Sequence, residues 1–481
     1  MTETPVCLLT GGGYPYRRDA LSGWCRALVE GLRRVRFELL TVLDRDPPPA
    51  PAYPLPFNVA AARAIAIGDG RAERRRGDHQ DVADRFATAL IGDDDSGLRE
   101  MARLVDEHPG ALASLPLAGA LAGAWRGTEE LPRLSMRDAK TAAALLRHAL
   151  GALAVPTPEA RLLHCVGGTT AVLTALAARW RTGVPLLLTE ARSPVSRQRP
   201  DEDKLSPSVR LLLRRFRASV VRTGYAEAGL IAPLSTYHHD WALRHGASAA
   251  RMVRVPPGVD PSDHPCAGEI NDDRAVVWAG SGGPDSGLSP LLAAFEQVAA
   301  AVPGVVLHLV GVTATHEEYA AELIERTVPG SAVRLYPLPA ESGQRYTAGQ
   351  VVAHVPGPSD PPYRLIEAMM SGRPVVGVDV GPAAEILGDT GVVVQPGDPA
   401  ELAIAIVNQL RSPAGRRALG DAARRRALTL FTNERMARTY EALYADLATS
   451  PPAPAVELTL AVAAPRSEPP ATVRWLLREG V

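Results

Sequence analysis

Short apolar runs that stop at glycine or a polar residue, and that alternate with helical stretches, leave this chain few folds. In the first half they are Val6–Leu9 before Gly11-Gly12-Gly13, Phe37–Val42, Leu162–Val166 before Gly167-Gly168, Leu186–Leu188 before Thr189-Glu190, Leu230–Leu234 and Val253–Val255. In the second half they are Ala275–Ala279 before Gly280, Val305–Val310 before Gly311, Val333–Leu338, Val351–Val355, Pro374–Val378 and Gly391–Val394. Runs of this length, apolar on both faces, belong in a parallel sheet covered by helices on both sides. Each half carries its own series, so the sequence predicts an α/β protein of two Rossmann-like doubly wound domains, and a chain of 481 residues has room for both.

The expected division is an N-terminal domain over 1–265, a C-terminal domain over 266–430, a crossing helix over 431–450 and a Pro/Ala-rich tail over 451–481. An insertion at about 47–160 interrupts the first domain and reads as mostly helical, with alanine and leucine at helical spacing through Leu112–Leu153. Its charge runs, Arg74-Arg75-Arg76 and Asp93-Asp94-Asp95, read as solvated faces. In the expected last helix, Met436, Tyr440, Leu443 and Tyr444 share one face.

Composition removes several function classes. With 52 basic and 53 acidic residues the formal charge is −1, so no global field favours a nucleic-acid partner. The cysteines Cys7, Cys25, Cys165 and Cys266 are scattered without a CxxC pair, which argues against a disulfide framework or a zinc cage and for a reducing compartment. The chain starts directly into its first apolar run, and no apolar stretch reaches the length of a membrane span. The expectation is a cytoplasmic protein without a membrane span, metal or resident cofactor.

Ordered motifs run along both halves. Tyr14-Pro15-Tyr16 with Arg18, Ser22 and Trp24 resembles the opening loop of PelF-type glycosyltransferases, in family 4 of the retaining transferases. Leu186-Leu187-Leu188-Thr189-Glu190 sits where that family has its second conserved loop. Residues 253–260, Val-Arg-Val-Pro-Pro-Gly-Val-Asp, resemble its "RVIPNGVD" segment, and residues 367–376 resemble "EAMAxGxPVV", with Gly381, Glu385, Gly391 and Pro396-Gly397-Asp398 following in register. The resemblance implies the GT-B architecture, with the two domains facing each other across a cleft. It implies a nucleotide-sugar co-substrate, a UDP-sugar foremost, and an acceptor that is a small molecule or glycan. It also implies a diphosphate site in the first loop of the second domain, served by an Arg and a Lys, with no metal. Two glutamates eight positions apart would hold donor hydroxyls, and a first-domain histidine would contact the reacting sugar.

Against that pattern several residues differ. The phosphate Arg position is Ser281 and the Lys position Ser286; the first glutamate falls on Ser359, with Asp360 beside it, while Glu367 keeps the second. The histidine after Thr189-Glu190 is Ala191, and the glycine pair of the opening loop is Asp19-Ala20, which adds a carboxylate. Losing charge-assisted hydrogen bonds costs roughly 1.5–3 kcal/mol each. Arg192, Arg364, or Arg17 and Arg18 are candidates to refill the phosphate pocket from another direction.

The donor-site candidates are therefore Gly12, Gly13, Gly280, Ser281, Ser286, Ser359, Tyr363, Arg364 and Glu367, and the catalytic candidates Glu190, Arg192 and His164. Two readings of His164 stay open, a satisfied core histidine, which is preferred, and a replacement acid/base. Gly11-Gly12-Gly13 lacks full GxGxxG spacing and reads as a tight βα turn. The amides of Gly280-Ser281-Gly282-Gly283 remain able to cradle an anion. His238-His239-Asp240 has no further ligand nearby and reads as a solvated helix start. Two functions compete: a glycosyltransferase with an atypical or impaired donor site, and an inactive GT-B scaffold or regulatory subunit with a protein partner. A third, an NAD(P)-binding protein, is disfavoured because no acidic residue follows the first glycine turn at ribose-reading distance.

Overall fold

The computed structural model describes residues 6–449 apart from 45–49, 69–78, 127, 129–130, 192–201, 203, 269–273, 329–331, 338–344 and 358–361. Arg192, Ser359, Asp360 and the expected tail lie outside the described residues, as does part of the expected interdomain join. The chain divides into two units: residues 1–234, 238–255 and 439–481 in the first, and 235–237 and 256–438 in the second. The first unit thus gives way to the second at Val255/Pro256, ten residues before the boundary read from composition.

In the first unit the described strands are β1 (Val6–Gly11), β2 (Phe37–Leu43), β3 (Val59–Ala66), β4 (Leu162–Val166), β5 (Leu186–Glu190) and β6 (Leu230–Pro233). They form one parallel sheet in the order β3-β2-β1-β4-β5-β6. β1 is the pivot: Val6 stands opposite Phe37 on one side and Leu162 on the other. All five residues of β4 and β5 are buried, which explains their unbroken apolar character.

β3 differs from the sequence reading, because it lies inside the expected helical insertion. It is an edge strand, mostly of alanine, with none of its residues fully buried, so it lacks the apolar signal of a central strand. The other elements of the described insertion are helices, from Gln80–Ile91 to Met136–Leu150 and the short turn Gly151–Ala154. The Met136–Leu150 helix opens with a Ser135/Asp138 capping box. Val253–Val255 is not a named strand; Val253 and Val255 donate backbone bonds to Ile231 and Pro233 alongside β6.

The second unit repeats the plan with β7 (Ala275–Ala279), β8 (Val306–Val312), β9 (Val333–Pro337), β10 (Val351–His354), β11 (Val375–Val378) and β12 (Val392–Val394). Their order, β12-β11-β10-β7-β8-β9, is the first sheet's order again. In each sheet the chain reverses direction of travel between two central strands, β1/β4 and β7/β10. Open α/β sheets bind ligands outside the carboxyl ends of the strands at that point. The last helix is Asn433–Thr449. Its residues to Arg438 belong to the second unit, and from Thr439 onward it packs in the first.

Candidate functional site

In the first unit, Gly12 after β1 and Gly167 and Gly168 after β4 all have positive φ, so both central strands turn sharply at their carboxyl ends. Gly167, Gly168, Leu188, Thr189, Glu190 and Tyr225 line a pocket there. Glu190 closes β5 with 8% exposure, and its Oε2 accepts the Tyr225 hydroxyl at 2.6 Å. Burial, with the carboxylate beside it, pushes the Tyr225 phenol far up, so it remains a donor. Glu190 is thereby held as an acceptor at the pocket wall.

His164 lies in the middle of β4 rather than at its end, and is fully buried. Its Nδ1 is 2.6 Å from the Tyr444 hydroxyl and its Nε2 2.7 Å from Thr189 Oγ1, which in turn lies 2.8 Å from the Tyr440 hydroxyl. The ring stacks on Tyr440 at 5.3 Å, with Trp24 edge-on at 6.1 Å. Both ring nitrogens are thus taken up inside the core. Burial pushes the imidazole from 6.5 down to about 3. The unfolded chain takes up this proton near 6.5 and the folded chain only near 3, so the stability held by the neutral ring is complete above about pH 6.5 and is lost as pH falls. At pH 5 the loss from this one residue is about 2 kcal/mol, at 1.4 kcal/mol per unit. The His164 ring resonances are expected to stay constant from pH 8 to 4.5; a titration midpoint near 6 contradicts the packing described.

His238 is a correction to the sequence reading. It is 6% exposed rather than solvated, its ring is hydrogen-bonded to the Ala191 backbone, and burial pushes it down to about 4. The added carboxylate of the opening loop also has a local explanation. Asp19 is the N-cap of helix Ala20–Gly31, and its Oδ1 accepts the Ser22 amide at 2.7 Å. Arg18, a candidate phosphate ligand, instead donates to the Ala52 carbonyl and lies over the Tyr53 ring. Arg17 is exposed.

In the second unit the loop between β7 and helix Leu288–Ala301 carries Gly280, Ser281 and Ser286. Gly280 leaves no space for a side chain, since a Cβ there would stand 1.9 Å from the Trp278 ring. The Ser281 carbonyl accepts from the Thr313 amide at 3.1 Å, and the buried Ser286 hydroxyl donates to the Gly283 carbonyl at 2.5 Å. Both serines thus shape the loop itself.

Helix Tyr363–Met370 starts beside this loop and carries the remaining candidates. Tyr363 is buried. Arg364 reaches back so that its Nη1 donates to the Ala279 carbonyl at 3.1 Å, directly before Gly280. At the end of β10, burial and the nearby Arg364 charge push His354 down to about 4. Glu367 Oε2 pairs with Arg345 Nη1 at 2.9 Å and lies 3.4 Å from the Tyr346 hydroxyl, which donates at 2.8 Å to the Arg364 carbonyl. The structure therefore gathers Gly280, Ser281, Ser286, Tyr363, Arg364 and Glu367 around the switch point of the second sheet. Arg345, His354 and His316, whose ring lies against Gly283, belong to the same neighbourhood and went unnoticed in the sequence. Each is a single polar residue in or beside an ordinary-looking segment, with no motif to mark it. Among the described residues no group of three or more His, Cys, Asp or Glu is arranged to hold a metal, and no helix is long and apolar enough to cross a membrane.

Two family models match the chain: "Domain of unknown function (DUF3492)" over residues 4–250, and "Glycosyl transferases group 1" over residues 273–412. Among curated proteins it is 32% identical over 196 residues to the D-inositol 3-phosphate glycosyltransferase of Segniliparus rotundus, covering 37% of this chain and 43% of that one. It is 33% identical over 85 residues to the N-acetyl-alpha-D-glucosaminyl L-malate synthase of Bacillus anthracis, covering 17% and 22%. The matches thus span less than half the length of these curated relatives. Among solved structures, sucrose-phosphate synthase from Thermosynechococcus elongatus matches with a TM-score of 0.62 at 18% identity, over 92% of this chain and 99% of that one. Anabaena Alr3699/HepE, solved in complex with UDP and glucose, matches with a TM-score of 0.59 at 15% identity, over 92% and 100%. At these identities the likeness concerns the fold, which is that of GT-B glycosyltransferases.

Proposed function

We propose that this chain, which belongs to the DUF3492 family over residues 4–250 and matches the group 1 glycosyltransferases over residues 273–412, transfers a sugar from a nucleotide-diphosphate donor, a UDP-sugar foremost, to a small-molecule or glycan acceptor. The observation that carries the reading is Arg364. The loop that has serines where a phosphate Arg and Lys are expected has a guanidinium delivered to it from another element, 3.1 Å from the Ala279 carbonyl. Breaking the glycosidic bond leaves charge on the diphosphate, and a fixed cation beside glycine-loop amides stabilises that charge. Glu367 would accept a donor hydroxyl through the carboxylate oxygen that Arg345 leaves free. Glu190 would accept one from the acceptor. The PelF-type relationship belongs to the same reading, and so does the UDP preference, which the UDP complexes of Alr3699/HepE favour.

A second reading, an inactive scaffold or regulatory subunit with a protein partner, is favoured by two ties. Asp19 occupies the N-terminal amides of its helix, and Glu367 is held by Arg345. Titration calorimetry with a panel of UDP-, GDP- and ADP-sugars separates the two. Micromolar binding of a UDP-sugar is expected. No heat and no melting shift with any donor would establish the scaffold.

A further inference from the structure

We propose that residues 51–57 form a docking ridge for a partner protein whose surface carries an aromatic-lined groove with an acidic rim. The segment Pro51-Ala52-Tyr53-Pro54-Leu55-Pro56-Phe57 lies between β2 and β3 in the first unit. Proline fixes φ at about −65°, and the residue before a proline is pushed out of the helical region. Those two rules constrain every residue from Ala50 to Pro56 except Ala52, so the covalent chain itself selects the polyproline II helix. Ala52 is the residue that the fold ties down. Its amide donates to the Pro15 carbonyl at 2.8 Å, and the Arg18 guanidinium donates to its carbonyl at 3.0 Å. Tyr53 packs inward against Tyr14, with ring centroids 5.7 Å apart. At the far end Asn58 is buried, its Nδ2 2.9–3.2 Å from the carbonyls of Val29, Leu32 and Val35.

A polyproline II helix has three residues per turn, so every third side chain shares an edge. Tyr53 and Pro56 are half-buried on one edge. Pro51 and Pro54 are exposed on another, continued by Phe57, with Leu55 beside them. Phe57, at 83%, is the most exposed large apolar side chain among the described residues. This is the P-x-x-P spacing, which sets the two prolines about 9 Å apart and fits them to slots between aromatic rings. Because the ridge is held in place before a partner arrives, docking orders little additional chain. Charge selects the rim of the groove. Arg33, Arg34 and Arg36 are exposed in the loop whose carbonyls Asn58 binds. Arg18 and Arg26 lie over the Tyr53 ring at 5.5 and 5.8 Å, with Asp19 and Glu30 as the acidic neighbours. Basic groups thus outnumber acidic ones around the ridge, and a groove edged with carboxylates complements them.

The test is titration calorimetry of the full chain against a panel of purified SH3 and WW domains, whose grooves read ridges of this kind. At least one domain with an acidic rim is expected to bind at micromolar strength, and more weakly as salt is raised. Pro54→Ala and Phe57→Ser are each expected to weaken that binding by roughly tenfold or more. Both side chains face solvent, so each variant should melt as the native chain does. Absence of binding by every domain at millimolar concentration overturns the proposal, and so does binding that either variant leaves unchanged. Self-association of the chain that Phe57→Ser abolishes would overturn it in favour of a second copy as the occupant.

Discussion

Arg364→Met is expected to weaken UDP binding by roughly 10- to 100-fold, and to slow turnover with a UDP-sugar by at least as much. The first factor is what one or two charge-assisted hydrogen bonds at about 1.5–3 kcal/mol supply. The second follows because diphosphate charge grows as the sugar departs, so the guanidinium is worth more in the transition state than in the complex. The folded protein gives up little, since the described bond of this side chain is a half-buried one to the Ala279 carbonyl. Melting within a few degrees of native is therefore expected. Arg364→Lys keeps the charge but loses the planar fork and should fall between the two. Native affinity for UDP in the methionine variant would show that Arg364 is not the replacement cation.

Gly287→Ala is expected to cost about 2–5 kcal/mol of stability in the second unit. Gly287 caps helix Leu288–Ala301 with a φ of 77°, where an L-residue costs about 1–2 kcal/mol. The larger difficulty is space, because a Cβ there would stand 2.2 Å from the Val355 carbonyl oxygen at the end of β10. That oxygen lies 3.4 Å from Trp278 Nε1, so strand and loop must shift together. Overpacking of this kind adds about 1–3 kcal/mol. Gly381→Ala separates the two terms: its φ is 63°, yet no atom lies within 4 Å of its Cβ position, so it should cost only the first. Denaturant unfolding of both variants checks this, and equal losses would refute the steric part.

The sheets were readable because parallel strands are buried on both faces and so appear as apolar runs. Leu186–Glu190 and Ala275–Ala279 lie where the sequence puts them. β3 escaped because an edge strand of alanines buries too little to leave a pattern. Arg364 was readable as a candidate cation only because the neighbouring motif fixed its place. His316, His354 and Arg345 were not, because their relevance comes from folding distant segments onto one turn. His238 was misread for the opposite reason. Its polar neighbours suggested solvent, while the helix turns this one ring inward.

The last helix sets an order of events during synthesis. Tyr440 and Tyr444 complete the polar core around His164 and Thr189 in the unit that is made first, yet they leave the ribosome about 190 residues after that unit's other segments. At typical elongation rates the delay is on the order of ten to forty seconds. Throughout that interval the nascent N-terminal half must hold its imidazole and the faces of Trp24 and Phe37 without their permanent cover, while the later half is free to finish.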